Sequence, residues 1–403
     1  MTSPVTPDYS TFNAVQNYLQ LSFAGQMIRY APNGQAPLFG MTSAMGTGTA
    51  LQTEHGYFAK TMVFPAVTLT VAVADGVATS FTVASTTNIL PGDLLRSNAA
   101  TAEIVRVGTV VSGTSLTVVR GFGQVAAAAI SNGVTLYKVG NAFEQASVRP
   151  AAKMMLPVRV TNFTQIFRNA WSLSGTMAAI AAIVGDTPAT ESRMDCGLFH
   201  AADIESAIFF GQKSSTFTLN GQYVTTMDGI IETVRRLGPA GNTTTAGATT
   251  NYTQLEAMLN GVFDVVSNGR NGNDRVMYVG GAARTVINNI GRLTGVYQVM
   301  DGQTSFGLQF STFKTSRGSF RMVEHPLLNS NTNWSKMAVV VDLPSMRLMY
   351  LKGRNTMYTA YGQGGNIIDS DVDAVGGSLL SELTMEITNP SVFAVIYNLT
   401  LAA

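Results

Sequence analysis

A single cysteine, Cys196, stands among 403 residues. It excludes an intrachain disulfide framework and fits folding in a reducing compartment. Charge is scarce as well. Asp, Glu, Lys and Arg make up 12% of the chain, about half the share of roughly 25% usual in globular proteins. With 25 basic and 24 acidic residues the net charge is +1, so no basic surplus points to a grip on nucleic acid. Long apolar runs are missing too. The longest, Met177 to Val184, is under half of the ~18 residues a membrane-spanning helix needs. The first residues, Met1 to Asp8, have neither a basic nor an apolar leader region, which predicts no signal peptide. What the chain does have is apolar content, 46%, and with so little net charge this excludes global disorder. A soluble monomer with so few charges would expose weakly polar surface. Large permanent subunit contacts would cover it, since such interfaces resemble core more than surface.

Residues 1–60 read as an arm. Pro4, Pro7, Pro32 and Pro37 interrupt any long helix, and the run Met41 to Thr49 is small, polar and aperiodic. One short amphipathic stretch, Phe12 to Leu21, fits a helix or a docking segment. Fully extended, fifty such residues would span about 165 Å at ~3.3 Å each, surplus to a compact monomer but long enough to cross neighbours. From Phe64 to Gly140 the period changes to two. Val67, Leu69, Val71 and Val73 alternate with smaller or polar residues, and turns fall at Asp75-Gly76, Pro91-Gly92 and Ser112-Gly113. Five or six short strands at such spacing predict an inserted β-barrel or sandwich. Residues 141–270 read as mainly helical. A helix over 190–211 has Thr190 as N-cap and carries Met194, Leu198, Ile204 and Ile208, with Gly197 implying close packing. A second, over 252–268, starts at a capping box of Asn251 and Gln254 and presents Leu255, Met258, Leu259, Val262, Phe263 and Val266 as one stripe. Beyond residue 271 strands are predicted at 275–279, 319–323, 337–342, 346–351, 383–387 and 392–398, with a helix at 282–293.

Groups for chemistry are few. His55, His200 and His325 lie far apart in sequence, and none has a second ligand at metal spacing. Cys196 and His200 are one helical turn apart, but mid-helix and without an oxyanion-hole loop, so a packed or surface histidine is the plainer reading. Asp369, Asp371 and Asp373 resemble the start of a calcium loop, yet Ala374 and Leu380 stand where that loop needs glycine and glutamate. A solvated acidic turn is the simpler reading. Val279 to Ala282 lacks the spacing of a phosphate-binding turn. Arg235 and Arg236 fit a solvated face or a subunit contact. No catalytic, cofactor-binding or metal residue is assigned, and the predicted role is not enzymatic.

At Arg159-Val-Thr-Asn162-Phe-Thr-Gln165-Ile-Phe167, followed by Leu173-Ser-Gly-Thr176, the sequence resembles the major capsid proteins of tailed bacteriophages with the Hong Kong 97-type fold. Four further blocks continue the match over about residues 140–400. They are Asp203-Ile-Glu205 leading to Phe210-Gly211, Thr226-Met-Asp-Gly229, the Leu255–Val266 helix, and Glu382-Leu-Thr-Met-Glu386 before Asn389-Pro390. The resemblance implies an α+β fold with an N-terminal arm over 1–60 and an E-loop region over 61–145 that holds the inserted all-β module. It implies a P domain over 146–270 with a spine helix at 190–211 and the helix at 252–268. An A domain over 271–370 would follow, with C-terminal strands over 371–403 returning to the P domain. Lys60 lies near the region where some relatives form a lysine–asparagine cross-link, but with no assignable partner none is predicted.

The implied function is structural, a subunit that self-assembles into hexamers and pentamers of an icosahedral shell around phage DNA. The implied partners are other copies of the chain, scaffolding, portal and decoration proteins, and double-stranded DNA held non-specifically on the inner face, with no membrane. The implied location is the virion capsid, assembled in the host bacterial cytoplasm. The competing reading is a tail-associated or cell-surface β-rich binding protein whose module recognises a ligand. It predicts a discrete monomer or trimer in place of shells.

Overall fold

The computed structural model describes residues 36–60, 64–152, 154–180, 187–247, 250–265, 274–293, 303–305, 308–362 and 372–400. The amphipathic stretch Phe12–Leu21, the aspartates at 369 and 371, and Val266 with the end of the expected helix at 268 lie outside these residues. In chain order the elements are α1 (Pro37–Ala44), β1 (Gly48–Ala50), β2 (Glu54–Ala59), β3 (Ala66–Thr68), β4 (Ser80–Thr82), β5 (Asp93–Ser97), β6 (Ile104–Ser112), β7 (Ser115–Val119) and β8 (Thr135–Asn141). Then come β9 (Val158–Phe163), β10 (Gln165–Ser174), α2 (Gly175–Ala179), α3 (Pro188–Phe210), β11 (Ser214–Leu219), β12 (Gln222–Thr226), α4 (Ile230–Leu237), β13 (Thr243–Thr245) and α5 (Tyr252–Asn260). The chain continues through β14 (Asp274–Val279), α6 (Gly281–Leu293), β15 (Gln303–Ser305), β16 (Leu308–Lys314), β17 (Ser319–Glu324), α7 (Pro326–Asn329), β18 (Ala338–Val341), β19 (Met346–Leu351), β20 (Met357–Tyr361), β21 (Ala374–Ile387) and β22 (Ala394–Tyr397).

Helices and sheets are mixed, an α+β fold, in two compact units. One is residues 58–159; the other is the chain up to Tyr57 together with the chain from Val160 onward. The smaller unit is all β. Its sheet runs β3-β8-β5-β6-β7-β4, and the two ends meet through a bridge between Leu69 and Val83 and through bonds from Thr70 N–H to Thr82 O and Ala84 N–H to Thr68 O. The sheet thus closes on itself as a small barrel, which leaves no free edge to pair with another chain. Val67, Leu69, Phe81, Val83, Leu95, Val105, Val107, Leu116 and Leu136 fill the interior. Val71 does not join them: the chain bends at Thr70 and Val71, which breaks the alternation and leaves Val71 exposed.

The larger unit holds two main sheets. One runs β1-β19-β21-β10, with β20 also on β21. β21 is its centre, 14 residues long where five were expected, pairing with β10 along one edge and with β20 and then β19 along the other. The second sheet runs β13-β22-β18-β14-β17-β16-β15. α3 lies along β10 and β21, with Ile204, Ile208 and Phe209 fully buried. Its 23 residues give an axis of about 35 Å.

Several expectations are corrected. The 141–270 region is not mainly helical. β10 alternates buried or half-buried Phe167, Asn169, Trp171 and Leu173 with exposed neighbours, the half-buried strand pattern. β11 and β12 form a hairpin whose Asn220-Gly221 turn has positive φ at both residues, 51° and 76°, the geometry two-residue hairpin loops favour. The long helix begins with Thr187 as N-cap and Pro188 in its first turn, not at Thr190, because proline's missing N–H costs nothing there. Its inward face is also different: Met194 and Leu198 point to solvent, while Cys196, His200 and Glu205 are buried. Gly197 has open space beside it, so no close contact demands it. The capping box of Asn251 and Gln254 is present, but α5 ends at Asn260 and tightens into a 3₁₀ turn over Gly261–Phe263.

The expected boundaries at 270/271 and 370/371 do not divide the sheets. Leu255 and Leu259 of α5 share a core with Met277 of β14. β19 and β20 join β21, whereas β22 pairs with β18 in the other sheet. Pairing over such sequence distances leaves no trace in local periodicity.

Candidate assembly surfaces

The residues that carry the family resemblance come together as one polar knot. Asn162 Nδ2 donates to the carbonyls of Asp228 (3.2 Å) and Met385 (2.9 Å), while its Oδ1 accepts Asp228 N–H at 2.8 Å. Gln165 Oε1 accepts Met227 N–H, and Thr164 Oγ1 donates to Glu382 Oε1 at 2.9 Å. Asp228, 2% exposed, receives Lys213 N–H at 2.7 Å and pairs with Arg236. Gly229 N–H bonds Gly211 O at 2.8 Å, and a Cβ on either glycine would stand 2.6–2.8 Å from backbone atoms. Four distant segments are therefore fastened at the base of the β11–β12 hairpin. The spacing reflects a need to satisfy buried polar groups, not to hold a ligand.

A second buried cluster anchors α1. Glu205 is 1% exposed; its Oε1 accepts Leu38 N–H at 2.8 Å and its Oε2 accepts Phe39 N–H at 2.6 Å. His325 Nδ1 accepts Leu327 N–H, which leaves the ring proton on Nε2, 2.6 Å from Glu205 Oε1. Phe209 packs edge-on to the same imidazole, ring centres 4.8 Å apart. No sequence signal marked this pair, since 120 residues separate its members.

The other titratable groups singled out by sequence are accounted for in the same way. His200 Nδ1 meets Asn169 Oδ1 at 2.7 Å and Nε2 meets Ser381 Oγ at 2.8 Å, so both ring nitrogens are engaged. Burial holds its pKa below the usual imidazole value, against a weaker opposing pull from Asp203. Burial raises the Cys196 thiol, the reverse of what a reactive thiolate needs. His55 pairs with Glu386 at 2.7 Å. Gly281 N–H, at the start of α6, is occupied by Asn329 Oδ1 at 2.6 Å, so that turn is a plain helix start. Arg235 pairs with Glu232 on the surface. Among the described residues no group of three potential metal ligands occurs. Lys60 is exposed.

Exposed apolar side chains are concentrated elsewhere. The β11–β12 ribbon belongs to neither main sheet and carries Phe217 at 70% exposure, Leu219 at 66% and Tyr223 at 78%. A lone two-stranded hairpin is marginal in water. This one is held at its base by Thr225 Oγ1 to Thr164 O and Thr226 Oγ1 to Gln212 O, both 2.6 Å. α3 turns Met194, Leu198 and Phe199 outward. In the smaller unit, Val148, Met154, Met155, Leu156 and Val158 form an exposed apolar run. Patches on this scale mark interaction surfaces more often than ordinary solvent-facing ones.

The model of the SU10 major capsid protein family matches residues 6–400. The chain belongs to that family. It is also 40% identical over 402 residues to the major capsid protein of Pseudomonas phage PaMx41, covering 96% of this chain and 95% of the relative. Solved chains with a similar outline include one from Mycobacterium phage Cain (11% identity, 98% of this chain and 99% of that one, TM-score 0.48). Another is from the capsid of a native GTA particle (8% identity, 98% and 100%, TM-score 0.47). The protein is thus a phage major capsid subunit, a structural component of the virion, and the family decides against the tail-associated or cell-surface reading. It associates with copies of itself.

Proposed function

We propose that the subunit closes into hexamers and pentamers of an icosahedral shell of the Hong Kong 97 type around double-stranded DNA. In this reading α3 with the five-stranded sheet forms the P domain, and the seven-stranded sheet with α5 and α6 forms the A domain. The 58–159 unit lies within the E-loop region, and residues before α1 cross to neighbours. Scaffolding, portal and decoration proteins would engage the same shell, which assembles in the host cytoplasm. The near-neutral chain gives DNA only non-specific, weakly attractive surface.

The observation that carries this reading is the apolar hairpin, which has no further partner strand among the described residues. Burying Phe217, Leu219, Tyr223 and the 41%-exposed Val224 is worth roughly 6–12 kcal/mol gross at ~1.5–3 kcal/mol each. Association costs about 4–15 kcal/mol, so one such contact barely holds a pair. A ring in which each copy is gripped on two sides is held, while misplaced copies still dissociate. Negative-stain microscopy of the purified chain tests this. Closed shells are expected from the parent and none from Phe217→Ser/Tyr223→Ser, whose subunits remain folded because both side chains face solvent. Shells of unchanged yield from that variant would overturn the role given to the hairpin.

A further inference from the structure

One apolar surface of the larger unit is concave. Phe210 at the end of α3, Ile231 on α4, Trp334, Met337 and Tyr397 of β22 line a groove of about 510 Å³. That volume lies within the roughly 300–1,000 Å³ of clefts that take up a compact apolar group. Phe210 and Trp334 stack with ring centres 4.3 Å apart and planes at 21°, which makes one wall stiff. Thr245 and Asn333, both exposed, bring neutral polar groups to the lining, and Lys336 is its only charged residue.

The β11–β12 hairpin has the chemistry and the dimensions to enter such a groove. Residues 214–226 contain no charged side chain. The register sets Phe217 opposite Val224, Leu219 opposite Gln222 and Thr218 opposite Tyr223. Directly opposed residues share a face, so Phe217, Leu219 and Val224 stand together on one side with Gln222. Phe217 and Leu219 lie about 7 Å apart along the strand and Val224 about 5 Å across it, a footprint that one cleft of this size can take.

Within the subunit the two do not meet. Among the described residues none from the hairpin lines the groove, and Phe217 and Leu219 stay 70% and 66% exposed. The root of the ribbon is fastened where it stands, by Gly229 N–H on Gly211 O and by the Thr225 and Thr226 hydroxyls on Thr164 O and Gln212 O. Each copy therefore carries one neutral apolar knob and one groove, matched in number in any assembly of identical chains. Entry of the knob strips water from no charge of its own.

We propose that the groove beside Trp334 receives the Phe217, Leu219 and Val224 face of a second copy's hairpin, a heterologous contact repeated from subunit to subunit. This deepens the shell reading, on whose self-association it rests, by naming the surface the hairpin meets.

Disulfide trapping tests it in the full-length chain, where the buried Cys196 can stay. One chain carries Leu219→Cys and a differently tagged one carries Asn333→Cys, both at exposed positions. Mixed, assembled and mildly oxidised, they are expected to yield linked pairs with one of each chain. The yield should stand well above that with Phe199→Cys, on the outer side of α3, in place of Leu219→Cys. A second readout uses Trp171→Phe, which leaves Trp334 as the only tryptophan. As concentration rises, acrylamide quenching of Trp334 should fall and its emission shift to the blue, and both changes should be lost in Phe217→Ser/Leu219→Ser. Shells in which Leu219→Cys traps no better than Phe199→Cys, or in which Trp334 stays as quenchable as in the dilute subunit, overturn the proposal and leave the shell reading standing. Full protection of Trp334 already at the lowest concentration also overturns it, by making the chain itself the occupant. Mixed pairs and a protected Trp334 without shells under the microscope would refute the shell reading and keep this contact.

Discussion

Replacing Glu205 by glutamine keeps its volume and removes one acceptor from a site where three donors converge. Oε1 serves Leu38 N–H and the His325 Nε2–H, and Oε2 serves Phe39 N–H. The least costly placement of the new NH₂ is at Oε2, facing Phe39 N–H, donor against donor. An orphaned buried donor costs about 1–3 kcal/mol, and the two remaining bonds each lose roughly 1 kcal/mol of charge assistance. Because the Phe39 bond is only partly buried, a total of about 2–4 kcal/mol is expected, a large share of the ~5–15 kcal/mol that holds a domain. Urea unfolding of the unassembled subunit should show the lowered midpoint, and amide exchange should quicken over α1, whose first turn hangs on this carboxylate. Glu205→Ala, which orphans all three donors, should be worse. A glutamine variant with the parental midpoint and unchanged exchange at Leu38 and Phe39 would refute the reasoning.

Three further outcomes are expected. Val262→Asp places a charge at a fully buried position in the turn after α5 and should remove soluble folded protein; parental yield would contradict the packing. Deleting residues 66–139 joins chain ends that already lie side by side, since Ala66 pairs with Tyr137 and Lys138 N–H bonds Pro65 O. The larger unit should keep its near-ultraviolet dichroism, and loss of all tertiary signal would show that the barrel is not separable. Burial holds the His200 imidazole below its usual pKa, so below about pH 6.5 the unfolded chain binds the extra proton. Its share of stability is therefore complete above that pH and is lost as pH falls toward the folded value. Denaturant midpoints measured in steps from pH 7.5 to about 5 should fall in the parent and flatten in His200→Gln. Equal slopes would contradict the assignment.

Local rules reached some of this fold and missed the rest for identifiable reasons. The capping box at Asn251 and the turns of the barrel were legible because each is fixed within a few residues. The inward face of α3 was not: its buried side chains include Cys196, His200 and Glu205, and the polar groups of the last two are engaged by Asn169, Ser381 and His325 from elsewhere in the chain. Hydrophobic periodicity therefore selected Met194 and Leu198, which face solvent. The hairpin was overlooked although Asn220-Gly221 is the strongest short turn signal, because its apolar residues sit on a ribbon with no core of its own. The candidate surface was legible only as a deficit of charge. Which residues carry it became visible once β11, β12 and α3 had positions.

If the subunit's apolar exterior is completed by other copies of the same chain, association must rise with concentration. Sedimentation velocity over rising protein concentration measures that directly. The slow subunit boundary should give way to capsomers and then to fast, shell-sized particles, while Phe217→Ser/Tyr223→Ser stays slow. A parent chain that sediments as one unassociated species at every concentration, with scaffold and crowding agents supplied, would contradict it.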